Sequence, residues 1–181
     1  MELIPMAVPD KIQQERLVFL KKFVLNIMQD MEIWQDFDLE ELSKIKLGVL
    51  KRNATQRHGA TKWQLSANKD LLTINDVEVI ELHPHLLEEK WNAYAAYVLH
   101  HEFIHALGFR NHDSLFRKLE NSWPGSSAAK LGPIFTEEMR LSRAKWLWQC
   151  NSCSRQFPRQ KPSNGRYQCR ECQIKLIDIK V

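Results

Sequence analysis

The chain has 181 residues, of which 44% are hydrophobic and 27% charged, and a formal net charge of +4. Such a composition belongs to folded soluble domains and excludes disorder, collagen-like repeats and low-complexity structure. No run approaches the roughly 18 apolar residues of a membrane helix, and the opening Met-Glu-Leu-Ile-Pro lacks the pattern of a secretory leader. A non-secreted, cytoplasmic or nucleoid-associated protein is expected, and in a reducing compartment its four cysteines read as metal ligands before disulfides.

Taken in chain order, Asp10 can cap a first helix over about residues 11–30, whose Leu17, Leu20, Val24 and Met28 belong to a broad apolar stripe. A second helical piece is expected around 39–50. Residues 52–76 then lose helical period, with a strand at 60–65, and the alternation Val-Glu-Val-Ile-Glu-Leu at 77–82 predicts another. Pro84 starts helical structure that runs, with room for a break, to Leu107. Between Trp91 and Phe109 this helix is apolar on nearly every side, the mark of a central, buried helix. Gly108 can end it, a further helix covers about 113–121, residues 122–133 read as loop, and a short helix around 134–145 leads into the tail. The expected organisation is an α+β body over 1–142 and a small C-terminal module over 146–181.

Polar residues on a buried helix need a reason, because an unpaired buried group costs roughly 1–3 kcal/mol. Here they form His101-Glu102-Phe103-Ile104-His105, a His-Glu-x-x-His pattern. Histidines at i and i+4 share one helix face and can meet one zinc. Glu102 can reach a water on that zinc without ligating the metal itself, so zinc would acidify the water and the glutamate would take its proton as the water attacks a carbonyl. A catalytic zinc wants a third ligand and an open position. His112 is the best candidate, with Asp113, Glu137 and Glu138 as weaker ones. His100 faces another side of the helix and reads as packing. For stabilising an oxyanion the candidates are Arg110, His58 and Tyr94.

The second constellation uses every cysteine. Cys150-x-x-Cys153 and Cys169-x-x-Cys172 are separated by fifteen residues, the spacing of a closed four-thiolate zinc site on two knuckles. Some 36 residues cannot build much core, and the metal supplies the stability instead. Two zinc ions are therefore expected, one catalytic and one structural. Residues 143–181 carry a net charge of +7 against −3 for the remainder. Arg155, Arg159, Lys161, Arg166 and Arg170 make this ribbon a candidate nucleic-acid-binding appendage, with single-stranded DNA favoured because aromatic residues lie among the cations. For Trp148 and Tyr167, however, a place in the ribbon's own core is the favoured reading.

His-Glu-Phe-Ile-His, then His112-Asp-Ser-Leu-Phe116, then a four-cysteine ribbon together resemble the SprT-like (Spartan-related) metalloproteases. Arg57-His-Gly-Ala-Thr61, Ile80-Glu-Leu-His-Pro-His-Leu-Leu87, Trp148-x-Cys150 and Tyr167-x-Cys169 are similar to further segments of that family. The resemblance covers roughly 50–181. It implies a zincin-like α+β protease domain followed by a zinc ribbon, with His101, His105 and His112 on zinc, Glu102 as general base, and proteolysis of DNA-associated proteins such as DNA–protein crosslinks. His112 follows His105 after six residues and precedes Asp113, where many relatives have a longer loop and a glycine. The expected protein is a monomeric zinc endopeptidase with a protein substrate, a DNA-binding ribbon and no membrane partner. The strand at 60–65 or that at 77–82 could take an extended substrate along its edge. Two alternatives stand beside it. One is a nucleic-acid-binding or transcription-associated ribbon protein whose zincin body is a scaffold. The other is a peptidase whose ribbon binds protein.

Overall fold

Asp10 begins the first helix as expected. Its carboxylate accepts from the Gln13 backbone N–H while the Gln13 side chain accepts from the Asp10 N–H, so two orphan donors are satisfied reciprocally. The helix, α1 (Lys11–Gln29), buries Leu17, Leu20, Val24, Leu25 and Met28. The computed structural model describes residues 7–54, 56–68 and 71–181, and backbone contacts divide the chain into two units at Leu131/Gly132.

In the N-terminal unit, Asp38 caps α2 (Leu39–Lys44), which stops short of the expected residue 50. Residues Leu47–Val49 are instead β1, parallel to β3 (Val77–Leu82) in the register Leu47↔Ile80 and Val49↔Leu82. Pairing with a distant strand overrides the local helical reading there. The strand β2 (Gly59–Trp63) pairs antiparallel with β3, giving a three-stranded sheet of order β1-β3-β2. Because side chains alternate across a sheet, Thr61 and its partner Ile80 share one face with Leu82. Lys62, Val79 and Glu81 share the other, where Lys62 Nζ lies 2.7 Å from the buried Glu81 carboxylate.

After β3, Pro84 opens only a 3₁₀ turn (Pro84–Leu87), and a second one (Glu89–Trp91) precedes α3 (Asn92–Ala106). This is the central helix that the sequence predicts: Tyr94, Ala95, Ala96, Val98, Leu99, His100, Glu102, Phe103, Ile104 and Ala106 are all buried. Gly108, at φ +99°, ends it by turning the chain left-handed. Asp113 then caps α4 (Ser114–Asn121) by accepting from the Phe116 N–H at 2.9 Å. A 3₁₀ segment (Ser126–Lys130) lies in the stretch expected to be loop.

The C-terminal unit contains most of α5 (Leu131–Ser142) and an antiparallel sheet of β4 (Trp146–Gln149), β5 (Gln156–Arg159) and β6 (Ile177–Lys180) in the order β5-β4-β6. Pro158 is accommodated because β5 is an edge strand. Two knuckles follow one backbone plan. The Ser154 N–H donates to the Cys150 carbonyl and the Cys150 N–H to the Arg155 carbonyl. Likewise the Gln173 N–H donates to Cys169 and the Cys169 N–H to Ile174. In each, the residue after the second cysteine is left-handed, Ser154 at φ 57° and Gln173 at φ 56°. The small core is Cys150, Cys169 and Leu176, with Trp148, Phe157 and Cys172 against it. Among the described residues no helix is long and apolar enough to cross a membrane.

The strain at Ser154 is relieved by a residue with no Cβ. Ser154→Gly should stabilise the metal-loaded ribbon by about 0.5–1 kcal/mol, read as a higher denaturation midpoint of this unit.

Candidate metal centres and active site

Burial puts Glu102 next to β2. The strand passes so close to α3 that a Cβ at Gly59 would lie 2.7 Å from Glu102 Oε1 and 2.8 Å from Val98 Cγ1. Only glycine fits there. Two residues on, Thr61 Oγ1 donates to Glu102 Oε2 at 2.8 Å. Burial raises the Glu102 carboxyl to about 7, against the Thr61 hydroxyl, which favours the ionised form. Glu102 is thus poised to exchange a proton near neutral pH.

On α3, one residue before Glu102 and three after it, and on the loop that follows, three imidazoles converge. His105 Nε2 lies 3.2 Å from His101 Nε2 and 3.1 Å from His112 Nε2. The other ring nitrogens fix the tautomers. His101 Nδ1 is 2.7 Å from Glu120 Oε1, and His105 Nδ1 is 2.8 Å from the Phe109 carbonyl oxygen, which the left-handed turn at Gly108 brings back over the helix end. A carboxylate and a carbonyl only accept, so both Nδ1 atoms carry the proton and both Nε2 atoms present lone pairs. Two lone pairs 3.2 Å apart make no hydrogen bond; they suit a shared cation. Nitrogens held 2.0–2.1 Å from one tetrahedral metal would lie about 3.3 Å from each other, so the triad fits such an ion. Burial holds His105 down at about 4 and lowers His101 as well, so both rings are neutral, the ligating form, at pH 7.

Phe116 lies under all three rings, its centroid 4.9 Å from that of His101, 4.8 Å from His105 and 4.6 Å from His112. Glu120, one turn further along α4, has its second oxygen 2.6 Å from Arg117 NH1. Burial alone would raise its carboxyl, but hydrogen bonds from His101, Arg117 and Tyr97 outweigh that and lower it. Sequence reading missed Gly59 as a clearance for Glu102, Thr61, Phe116 and Glu120, since none stands in the His-Glu-x-x-His motif. Spacing held one signal: Phe116 and Glu120 are i and i+4 on an α4 that follows His112 directly.

The weaker ligand candidates have other places. Asp113 caps α4, and Glu137 and Glu138 belong to α5. His100 packs between Trp34 and Trp123, with ring centroids 5.5 and 4.8 Å away, and burial lowers it to about 3. His58 Nδ1 and the Tyr94 hydroxyl are 2.6 Å apart in a cleft that also reaches His101 and Glu102. A second cleft, of about 440 Å³, is lined by Arg57, Gly59, Thr61, Trp63 and Arg110 together with His101, Glu102, His105 and His112. Both clefts open on Glu102, so a reactant could reach the triad and the carboxylate together.

No family model matches the chain, and no solved structure matches it. Its sequence is similar to Protein SprT-like of Streptococcus equi subsp. equi (strain 4047), at 24% identity over 106 residues that cover 55% of this chain and 68% of the relative. It matches Protein SprT-like of Streptococcus equi subsp. zooepidemicus (strain MGCS10565) with the same identity and coverage. These matches support a SprT-like family assignment, at a distance.

Beside this SprT-like likeness stands the second metal group. Cys150, Cys153, Cys169 and Cys172 gather their sulfurs within 4.8 Å of one another. Cys153 Sγ and Cys169 Sγ are 3.8 Å apart, the separation of thiolates about 2.3 Å from a tetrahedral metal. Within the cluster the Cys153 backbone N–H is the first of the groups that bring the Cys150 thiol down to about 7, whereas at Cys172 the Ser152 side chain is outweighed by the neighbouring sulfurs, which raise that thiol to about 11. Of the five basic candidates, all exposed, Arg155 pairs with Glu171 and the Arg159 guanidinium lies 4.9 Å over the Trp148 ring. Lys161, Arg166 and Arg170 make no ion pair among the described residues. Trp148 stacks on Tyr167 at 4.5 Å; Trp148 packs on the ribbon core as expected, whereas Tyr167 is 51% exposed.

Gly59→Ala should destabilise the protein by about 1–3 kcal/mol, because neither Glu102 nor Val98 can yield without moving α3 or β2; thermal denaturation measures it. A raised carboxyl makes the fold bind more protons than the unfolded chain between the ordinary 4.5 and about 7. Its contribution is therefore complete at low pH and is lost as pH rises through 7. In chelator-treated protein, Glu102→Gln should gain on wild type by on the order of 3 kcal/mol between pH 4 and 8, read by denaturant unfolding across that range.

Proposed function

We propose that the protein is a zinc-dependent endopeptidase with a zincin-like N-terminal unit, acting on DNA-associated proteins, DNA–protein crosslinks included, while its basic ribbon binds DNA. One observation carries the peptidase reading: three imidazole Nε2 atoms converge beside a buried carboxylate in an open cleft. A purely structural metal would have no use for Glu102. The SprT-like relatives point the same way.

His101, His105 and His112 would hold the zinc, which when bound supplies a Lewis acid that polarises a scissile carbonyl and lowers the pKa of water. Glu102 does the proton work. Its Oε2 is fixed by Thr61, so Oε1 takes the proton from the attacking water and returns it to the leaving amine. Along the cleft, β2 is the edge of its sheet and can hydrogen-bond an extended peptide as an added strand. Backbone recognition of that kind selects flexible or unfolded protein over a particular side chain. Arg57, Arg110 and the His58–Tyr94 pair line the clefts as candidate partners of a developing oxyanion.

For the ribbon, a four-thiolate zinc would be structural. The DNA reading rests on the net charge of the tail and on the exposed Tyr167 stacked on Trp148, beside Arg159 and three cations that make no ion pair among the described residues. The deciding experiment is cleavage of a DNA-binding protein by the monomeric full chain with and without single-stranded DNA. Cleavage should require both DNA and Glu102, and Glu102→Gln should lower the rate at least 100-fold while keeping both zinc ions. No cleavage by protein carrying two zinc ions would favour a nucleic-acid-binding module on an inactive scaffold. DNA affinity should fall steeply between about 50 and 200 mM salt. It should also fall with Lys161→Glu, Arg166→Glu or Arg170→Glu in a fluorescence-anisotropy titration. An unchanged affinity would point to a ribbon that binds protein.

A further inference from the structure

The three histidines of the triad are not held alike. His105 donates to a neutral backbone carbonyl, whereas His101 donates to a carboxylate whose side chain is only 6% exposed. That carboxylate is gripped from behind by Arg117, itself 52% exposed, so the pair carries a buried negative end at the ring and a solvated positive end outside. His112 is the most exposed of the three. Apart from the Phe109 carbonyl on His105, the support comes from α4: Asp113 starts the helix, Phe116 floors the three rings, and Glu120 reaches His101 from the next turn.

We infer that Glu120, clamped by Arg117, is a positioning residue that makes His101 the anchoring ligand of the triad. Resting on the metal reading given above, this assigns Glu120 a task that no ligand motif contains. The carboxylate forbids the Nε2–H tautomer of His101 and holds the ring edge-on, with its lone pair on the triad centre. Its charge, in a site of low dielectric, increases the electron density that the imidazole offers to a cation. Arg117, together with the Tyr97 hydroxyl, keeps the carboxylate from swinging away and supplies the hydrogen bonds that let an ion stay buried. Removing the carboxylate leaves the ring free to flip and the Nδ1–H without its partner. The tautomer penalty then falls on the metal-binding step.

The test uses the full chain, stripped and reloaded with Co(II) or Zn(II) under chelator competition. The ribbon's thiolate-to-cobalt absorption identifies one site, and the weaker bands of a nitrogen–oxygen site identify the other. Glu120→Ala should weaken the triad site roughly 10–100-fold and leave the ribbon site unchanged. Glu120→Gln, which keeps the size and one acceptor oxygen, should fall between wild type and Glu120→Ala, and serves if the alanine variant does not fold. In ¹⁵N-histidine spectra of metal-free protein, His101 should be the Nδ1–H tautomer in wild type and a mixture in Glu120→Ala. Wild-type triad affinity in a folded Glu120 variant with its ribbon loaded overturns the positioning role. If His101→Ala binds as many ions as wild type, the triad is not a metal site, and the metal reading itself falls together with the role of Glu120.

Discussion

The approach of β2 to α3 at Gly59 is the constraint on which the candidate active site depends. With no side chain at that position, the strand backbone can lie against the helix at the level of Glu102, and the carboxylate is buried between Val98, Gly59 and Thr61. Burial raises its proton affinity toward neutrality, and the Thr61 hydroxyl fixes one oxygen. The same contact leaves β2 as an open sheet edge along the cleft. The candidate base, the hydroxyl that orients it and the sheet edge proposed to take an extended chain are thus consequences of one close packing contact.

Around that contact the helix α3 reconciles two demands. It is the centre of the hydrophobic core, and it carries His100, His101, Glu102 and His105. Each of these polar groups has its own solution. His100 remains neutral between two tryptophans, with neither ring nitrogen hydrogen-bonded among the described residues, and Glu102 accepts from the Thr61 hydroxyl. His101 and His105 satisfy one nitrogen within the protein and turn the other toward the triad. The lone pairs left facing one another at 3.2 Å are the unbalanced part of this arrangement, and a cation held between them would balance it.

The ribbon solves a different problem with related chemistry. Its sheet is small, and its buried hydrophobic cluster is two cysteines and one leucine with a few partly buried neighbours. A core of that size cannot offset the entropy of ordering some 36 residues. Four gathered thiols held on two equivalent knuckles offer metal binding in its place, and two non-glycine residues accept left-handed backbone to make the knuckles close.

Much of this was legible in the sequence because it follows from local spacing. Asp10 as a cap, the alternating strand at 77–82, the all-round apolar α3 and both ligand spacings rest on periodicity or on fixed helix geometry, and they need no knowledge of distant partners. The strand at 47–49 was not legible, because Leu47–Val49 becomes a strand only by pairing with β3, some thirty residues away. Glu120, Phe116, Thr61 and the clearance at Gly59 were hidden for the same reason. Each acts across a helix–helix or helix–strand contact whose register no local pattern encodes. The sequence by itself determined which atoms could bind metal or carry a proton. The tertiary structure alone decided which nitrogens face one another, which carboxylate is buried and which is clamped by arginine, since tautomer, burial and proton affinity are properties of neighbours brought together in space.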